Sequence, residues 1–177
     1  MDASIIIPAF GRTDLLRRTL TAALAQDYPA DAYEVIVVDS SPDDANERLV
    51  RGLAPSAPCR LRVLRKDPEG PGPSRNAGAR ASAGRILAFL DSDCLPVAGW
   101  LAAGVAAFDE GVGLVQGRTV PDPDARLGPL TGFLRIERES FIYEAGNMFY
   151  RREAFFQTDG FHADPHGGRF WVLGGED

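Results

Sequence analysis

Five consecutive apolar residues, Ile86 to Leu90, run directly into Asp91-Ser92-Asp93, with Pro96 close behind. A short apolar run without polar alternation suits a strand covered on both faces, as in a parallel sheet flanked by helices. Its abrupt polar end puts two carboxylates at the carboxyl edge of a strand, the rim where open α/β sheets bind ligands. In an extended chain Asp91 and Asp93 point to one side and Ser92 to the other. Two like charges held that close are unfavourable unless a cation sits near them. The pattern predicts that Asp93 first, and Asp91 second, hold a divalent ion, and that the ion holds a diphosphate. The competing reading is that both acids merely end a strand in solvent.

The preceding segments supply the layers around this strand. Ser4–Ile7 is β-branched and apolar, a buried strand that Pro8 is expected to end. Leu16, Leu20, Ala23 and Leu24 recur at helical spacing, predicting a helix from Thr13 to about Gln26. Tyr33 to Val38 is a second buried strand that stops at Asp39, and the turn Ser40–Asp44 leads into a helix from Ala45 to about Leu53. Arg60 to Arg65 alternates basic and apolar residues, as a strand nearer an edge does. Gly70-Pro71-Gly72-Pro73 resists regular structure, so the next helix is expected over Ser74–Ala83, with Pro73 as its first residue. This alternation of strand and helix predicts an α/β three-layer sandwich with a mostly parallel sheet and flanking helices.

Beyond Pro96 the pattern gives a helix over Gly99–Phe108, a strand over Gly113–Gly117 and a loop from Pro121 to Pro129. It continues with a helix over Leu130–Glu139, a strand over Asn147–Tyr150 and a short helix over Arg152–Gln157. A Gly-, His- and Asp-rich loop covers His162–Phe170. His162, Asp164 and His166 lack the scaffold of a metal site and read as ordinary loop residues. The chain stops at Gly174-Gly175-Glu176-Asp177, where a site rather than a boundary is expected, so the sequence reads as a fragment incomplete at its C-terminus.

A net charge of -6 argues against nucleic acid as a partner. No apolar run is long enough to span a bilayer, and MDASIIIPAF has no basic leader region. Peripheral association with the inner face of a membrane stays open. Cys59 and Cys94 form no spacing pattern and read as reduced thiols of a cytoplasmic protein.

Taken together, SIIIPAFGR, YEVIVVDSS, GPSRNAGARASAG, LAFLDSDCLPVAGWL, GNMFYRREAF, DGF and GGED resemble, in order, the segments of the family 2 glycosyltransferases of the GT-A fold. The likeness covers essentially the whole chain. It implies a single domain over 1–177, with a Rossmann-like nucleotide-sugar-binding half at about 1–97 and an acceptor-side half at about 98–177. It also implies metal-assisted, inverting transfer from a UDP- or dTDP-sugar to a glycan, lipid-linked or small-molecule acceptor, as in polysaccharide biosynthesis.

The same resemblance assigns roles. Asp91-Ser92-Asp93 would be the DXD motif, binding Mn²⁺ or Mg²⁺ and the donor. Pro8, Ala9, Phe10 and Arg12 would belong to the nucleotide loop, with Phe10 either stacking on the base or packing in the core. Asp39 would accept a hydrogen bond from the base, although Ser40 stands where a second aspartate is common; a turn or capping role is the alternative. Arg75, beside helix N–H groups, would meet a phosphate or the base edge, or else lie exposed on its helix. Asp177 would be the catalytic base, Glu176 would orient the acceptor, and Trp171 would line the acceptor groove. Trp100 reads as core. A sugar-1-phosphate nucleotidyltransferase would need a glycine- and lysine-rich loop after the first strand; PAFGRTD has no lysine. A nucleotide-binding module without turnover is the remaining alternative.

Overall fold

The computed structural model describes residues 1–123, 135–137 and 144–162. Their strands are β1 (Ala3–Ala9), β2 (Tyr33–Asp39), β3 (Arg60–Arg65), β4 (Ile86–Leu90), β5 (Leu114–Gln116) and β6 (Asn147–Arg151). The helices are α1 (Thr13–Leu24), α2 (Ala45–Leu53), α3 (Pro71–Ala81), α4 (Trp100–Ala106) and α5 (Arg152–Phe156). One sheet runs β3-β2-β1-β4-β6-β5. The first four strands in that order are mutually parallel, while β6 lies antiparallel to both β4 and β5. This is the expected α/β layering, with β3 at an edge.

The period of two along each strand sorts the core into two layers. Ile5, Ile7, Val35, Val37, Ala88 and Leu90 pack with Leu16 and Leu20 of α1, Leu49 of α2 and Leu101 of α4. Ile6, Ile36, Val38, Leu87 and Phe89 face the other way, onto Ala79 of α3 and Phe155 of α5. Strands buried on both faces need no polar side, which is why β1, β2 and β4 are apolar runs.

Three expectations are corrected. Pro8 does not end β1 but sits inside it, opposite Val38. The carbonyl of Asp2 faces β4 and that of Ala9 faces Ser40 at the end of β2, so alternation turns the Pro8 nitrogen towards β4. There the ladder has already stopped at Ile6, and no backbone donor is missed. Helix α3 starts at Pro71, two residues before the expected first residue Pro73, because both prolines fall in the first turn, where N–H groups have no helical partner. Finally, Ile136 is not helical: it pairs with Thr119 in an antiparallel bridge, with N–O distances of 2.9 and 2.7 Å. Most of the expected 130–139 helix lies outside the described residues.

Trp100 is a core residue. Its ring packs on Phe149 with centroids 4.7 Å apart, and its Nε1 donates to Asn147 Oδ1 at 2.8 Å. Gly104, one turn on, leaves that Phe149 ring its room: a Cβ there would lie 2.2 Å from two ring carbons. Gly104→Ala is therefore expected to destabilise the fold by about 1–3 kcal/mol through overpacking, read as a lower urea midpoint with an unchanged slope.

Candidate functional site

A cavity of about 790 Å³ opens at the carboxyl ends of β1, β2 and β4. Pro8, Ala9, Phe10 and Arg12 form one wall, and Asp91, Ser92 and Asp93 another. Ser40, Ser74, Arg75 and the segment Pro68–Pro71 complete the lining. Seven of the eight residues named for the donor thus meet in one space. Phe10 is 60% exposed, so it is a free aromatic face and not core packing.

Asp39 is the exception, and its contacts are those of the alternative turn role. Its side chain is fully buried and it does not line the cavity. Asp39 Oδ1 accepts from Ser41 N at 3.1 Å, Ser41 Oγ at 2.5 Å and Asn46 Nδ2 at 3.2 Å. Its Oδ2 accepts from Arg65. A carboxylate so occupied organises the loop; Ser40 is the residue there that faces the cavity.

Asn46 is the centre of this network, and nothing in the sequence marks it. Fully buried, it donates to the Gly11 carbonyl at 3.1 Å and to Ser41 Oγ at 3.0 Å, and it accepts from Thr13 Oγ1 at 2.8 Å. Ser41 Oγ in turn accepts from Gly11 N at 2.7 Å. The loop after β1 is thereby fixed to the start of α2. It needs fixing, because Gly11 (φ 59°) and Arg12 (φ 51°) are both left-handed, and for arginine that conformation is unfavourable. A buried network that over-determines a loop can hold such a residue, and loops of this kind concentrate at functional sites.

The DSD segment is a turn, not the extended stretch expected from alternation. Strand β4 ends at Leu90, and Cys94 N donates to Asp91 O at 3.1 Å. The turn still directs both acids into the cavity. Asp91 is backed by Gly146, whose carbonyl accepts from Asp91 N at 3.2 Å and whose Cα lies so near that a Cβ would sit 2.4 Å from Asp91 Oδ2. Cys94 lies behind the acids. Burial first, then the charges of Asp91 and Asp93, push its thiol up to about 12, so it is no nucleophile at neutral pH.

Each acid has a guanidinium partner. Asp93 Oδ2 is 3.0 Å from Arg12 Nη2, and Asp91 Oδ1 pairs with Arg75 Nη2. Arg75 is not an exposed helix residue: its side chain is 9% exposed and its Cζ stands 5.5 Å from the Phe161 ring centroid. Its buried Nε has no hydrogen-bond partner among the described residues. The neighbouring Asn76 grips the same segment both ways, donating to Phe161 O at 2.7 Å and accepting from Phe161 N at 2.9 Å. Near the outer wall the Lys66 ammonium, 2.7 Å away, holds the Glu69 carboxyl below the usual range.

The donor set at this rim is all oxygen, which suits a hard cation such as Mg²⁺ or Mn²⁺. Among the described residues no group of three or more His, Cys, Asp and Glu gathers. Two carboxylates with open positions fit an ion that is completed by substrate phosphates, not a closed structural site.

The sequence profile described as glycosyl transferase family 2 matches residues 4–163. The chain belongs to that family. A relative, the glycosyltransferase AglE of Haloferax volcanii, is 39% identical over 160 residues, covering 85% of this chain and 52% of that protein. The succinoglycan biosynthesis protein ExoO of Rhizobium meliloti is 39% identical over 92 residues, 52% of this chain and 25% of its own length. The chain thus spans about half or less of the length of these relatives. Among solved structures, the mannosyltransferase PcManGT of Pyrobaculum calidifontis, in complex with GDP-Man and Mn²⁺, matches with a TM-score of 0.75 at 23% identity. That match covers 93% of this chain and 48% of the other. TarS of Staphylococcus aureus with UDP-GlcNAc matches with a TM-score of 0.58 at 28% identity, over 69% of this chain and 37% of the other. The family 2 fold expected from the sequence, of GT-A type, is therefore present.

Of the remaining candidates, Asp177, Glu176 and Trp171, together with Asp164 and His166, lie outside the described residues. His162 is exposed, and its backbone carbonyl occupies the space beside Gly72 of α3. Among the described residues no helix is long and apolar enough to cross a membrane.

Proposed function

We propose that this chain binds a nucleoside-diphosphate sugar in the cavity and transfers the sugar, with inversion, to a hydroxyl of a glycan, lipid-linked or small-molecule acceptor. The observation that carries this reading is the meeting of Asp91, Asp93, Arg12 and Arg75 in one cavity at the carboxyl ends of parallel strands. Family membership supports the reaction class. The PcManGT complex with GDP-Man and Mn²⁺ and the TarS complex with UDP-GlcNAc support the class of donor and of ion.

In this reading Phe10 stacks on the base, and Pro8, Ala9 and the Pro68–Pro71 wall enclose it. Arg75, which lines the cavity, donates through its Nη groups to a phosphate oxygen. Asp93 and Asp91 supply the protein's carboxylates to a divalent ion, Mn²⁺ or Mg²⁺. Such an ion, when bound, offers Lewis-acid stabilisation to the departing diphosphate. Asp39 and Asn46 hold the loop on which Phe10 and Arg12 stand. Asp177 takes the proton of the attacking hydroxyl and Glu176 orients the acceptor against Trp171, an assignment supported by the resemblance of GGED alone. The free thiols of Cys59 and Cys94 suit a cytoplasmic setting.

A thermal-shift panel of UDP, dTDP and GDP sugars, each with and without Mn²⁺, tests the reading. At a hundred times Kd the matching donor should stabilise the fold by about 2.7 kcal/mol, a rise of roughly 5–10 °C in Tm for a chain of this size, and only when Mn²⁺ is present. No stabilisation by any nucleoside diphosphate would exclude the proposal.

A further inference from the structure

We propose that Arg12 is a movable clamp on Asp93 that couples divalent-cation binding to diphosphate binding, so that each ligand creates the site for the other. The proposal rests on the nucleotide-sugar reading above and adds a linkage between its two ligands.

Both carboxylates at the rim already have cationic partners, with Arg12 on Asp93 at 3.0 Å and Arg75 on Asp91. A divalent cation arriving alone meets two neutralised carboxylates and two guanidiniums that repel it. A diphosphate arriving alone meets guanidiniums that each already carry a carboxylate. When both arrive, phosphate oxygens take the guanidiniums and the cation takes the carboxylates, so each releases what the other needs. Such coupling is reciprocal by thermodynamic necessity.

The two arginines are not equivalent. The Arg75 side chain is 9% exposed and lies 5.5 Å from the Phe161 ring, set into the wall. The Arg12 side chain is 59% exposed and reaches Asp93 from a backbone that cannot drift. Gly11 is tied to Ser41 and Asn46 on both its N–H and its carbonyl, and Arg12 is held at φ 51°, ψ 43°. A long, solvated side chain on a fixed pivot can exchange a carboxylate for a phosphate without moving the loop. Arg12 is therefore the part that swings, and Arg75 the part that waits.

Mn²⁺ bound to the protein, separated by ultrafiltration from free Mn²⁺ and from soluble Mn²⁺–anion complexes, is measured with and without saturating inorganic pyrophosphate, and again with UDP. Pyrophosphate binding is measured by calorimetry in EDTA. In the wild-type chain either anion should tighten Mn²⁺ at least about tenfold. Arg12→Gly, which accepts the left-handed backbone, should tighten Mn²⁺ alone about threefold and cut the enhancement to about threefold or less. Asp93→Asn frees Arg12 from its partner and should tighten pyrophosphate in EDTA about threefold, a gain that a merely structural role for Asp93 would not produce. An enhancement in Arg12→Gly equal to that of the wild type, or no gain for pyrophosphate in Asp93→Asn, overturns the clamp while the nucleotide-sugar reading stands. Wild-type protein that binds neither anion with Mn²⁺ overturns both.

Discussion

Replacing Glu34 with alanine is expected to destabilise the fold by about 3–5 kcal/mol, the range for removing one partner of a buried ionic cluster. Glu34 sits in β2 with a side chain of no exposure, and its two oxygens serve different parts of the chain. Oε1 accepts from Ser4 Oγ at 2.8 Å and Ala83 N at 2.7 Å; Oε2 accepts from Arg62 Nε and Nη2, each at 3.3 Å. Ser4 Oγ in turn accepts from Gly84 N at 2.9 Å. Alanine would leave a hydroxyl and a backbone N–H without their acceptor and the Arg62 guanidinium with the Ala81 carbonyl but no counter-charge in Glu34. Against a total stability of about 5–15 kcal/mol, such a loss takes the chain close to unfolding at ambient temperature. Glu34→Gln keeps one oxygen for Ser4 and Ala83 and should lose less, about 1–3 kcal/mol. Urea unfolding of both variants checks the ranking; a Glu34→Ala midpoint at the wild-type value would refute it. The consequence reaches the rim, because Ala83 and Gly84 are where the chain enters β4, and β4 ends at the acids of the cavity.

How far the sequence reveals all this depends on which force sets each feature. Burial on both faces of a sheet leaves an unmistakable trace, so β1, β2 and β4 are legible as apolar runs, and the alternation of β3 announces an edge. Hydrogen-bonding detail leaves no such trace. Pro8 is a strand-breaker by composition, and only the length of the β4 ladder makes it harmless. Pro71 and Gly72 look like a loop, yet a first helical turn has no use for the N–H that proline lacks. That the DSD acids share a cavity is readable from their place at a strand end, but the reason is a turn closed on Asp91 O, not extended alternation. Asp39 is an acid at a strand end like Asp91; partners on β3, on α2 and in the loop between turn it inward, and no local pattern announces them. Asn46 is a lone asparagine in an amphipathic helix until the fold places Gly11, Thr13, Asp39 and Ser41 around it. The direction of β6, antiparallel between β4 and β5, is likewise a matter of connection, on which local pattern is silent.

Asp93→Asn and Asp91→Asn should both abolish most of the transfer activity, and they should be separable by stability. Each substitution keeps the shape of the side chain and removes one charged carboxylate oxygen. If the ion supplies several kcal/mol of stabilisation to the leaving diphosphate, losing half the protein's carboxylates at it should slow transfer by a factor of about 10²–10³, or roughly 3–4 kcal/mol in the barrier. Folding stability should divide the pair. Asp93 is 39% exposed and its partner Arg12 59%, so that pair contributes about 0–1 kcal/mol, and Asp93→Asn should unfold within that margin of the wild type. Asp91 faces Arg75, which is 9% exposed and already carries one unpartnered nitrogen. Leaving that mostly buried guanidinium against a neutral amide should cost about 1–3 kcal/mol more. The measurements are donor transfer in Mn²⁺ and urea unfolding on the same preparations. Equal stabilities would mean that solvent, not Asp91, satisfies Arg75. Unchanged transfer in Asp93→Asn would mean that the exposed acid of the pair touches no part of the reaction, and the rim would then have to work with Asp91 and the two arginines alone.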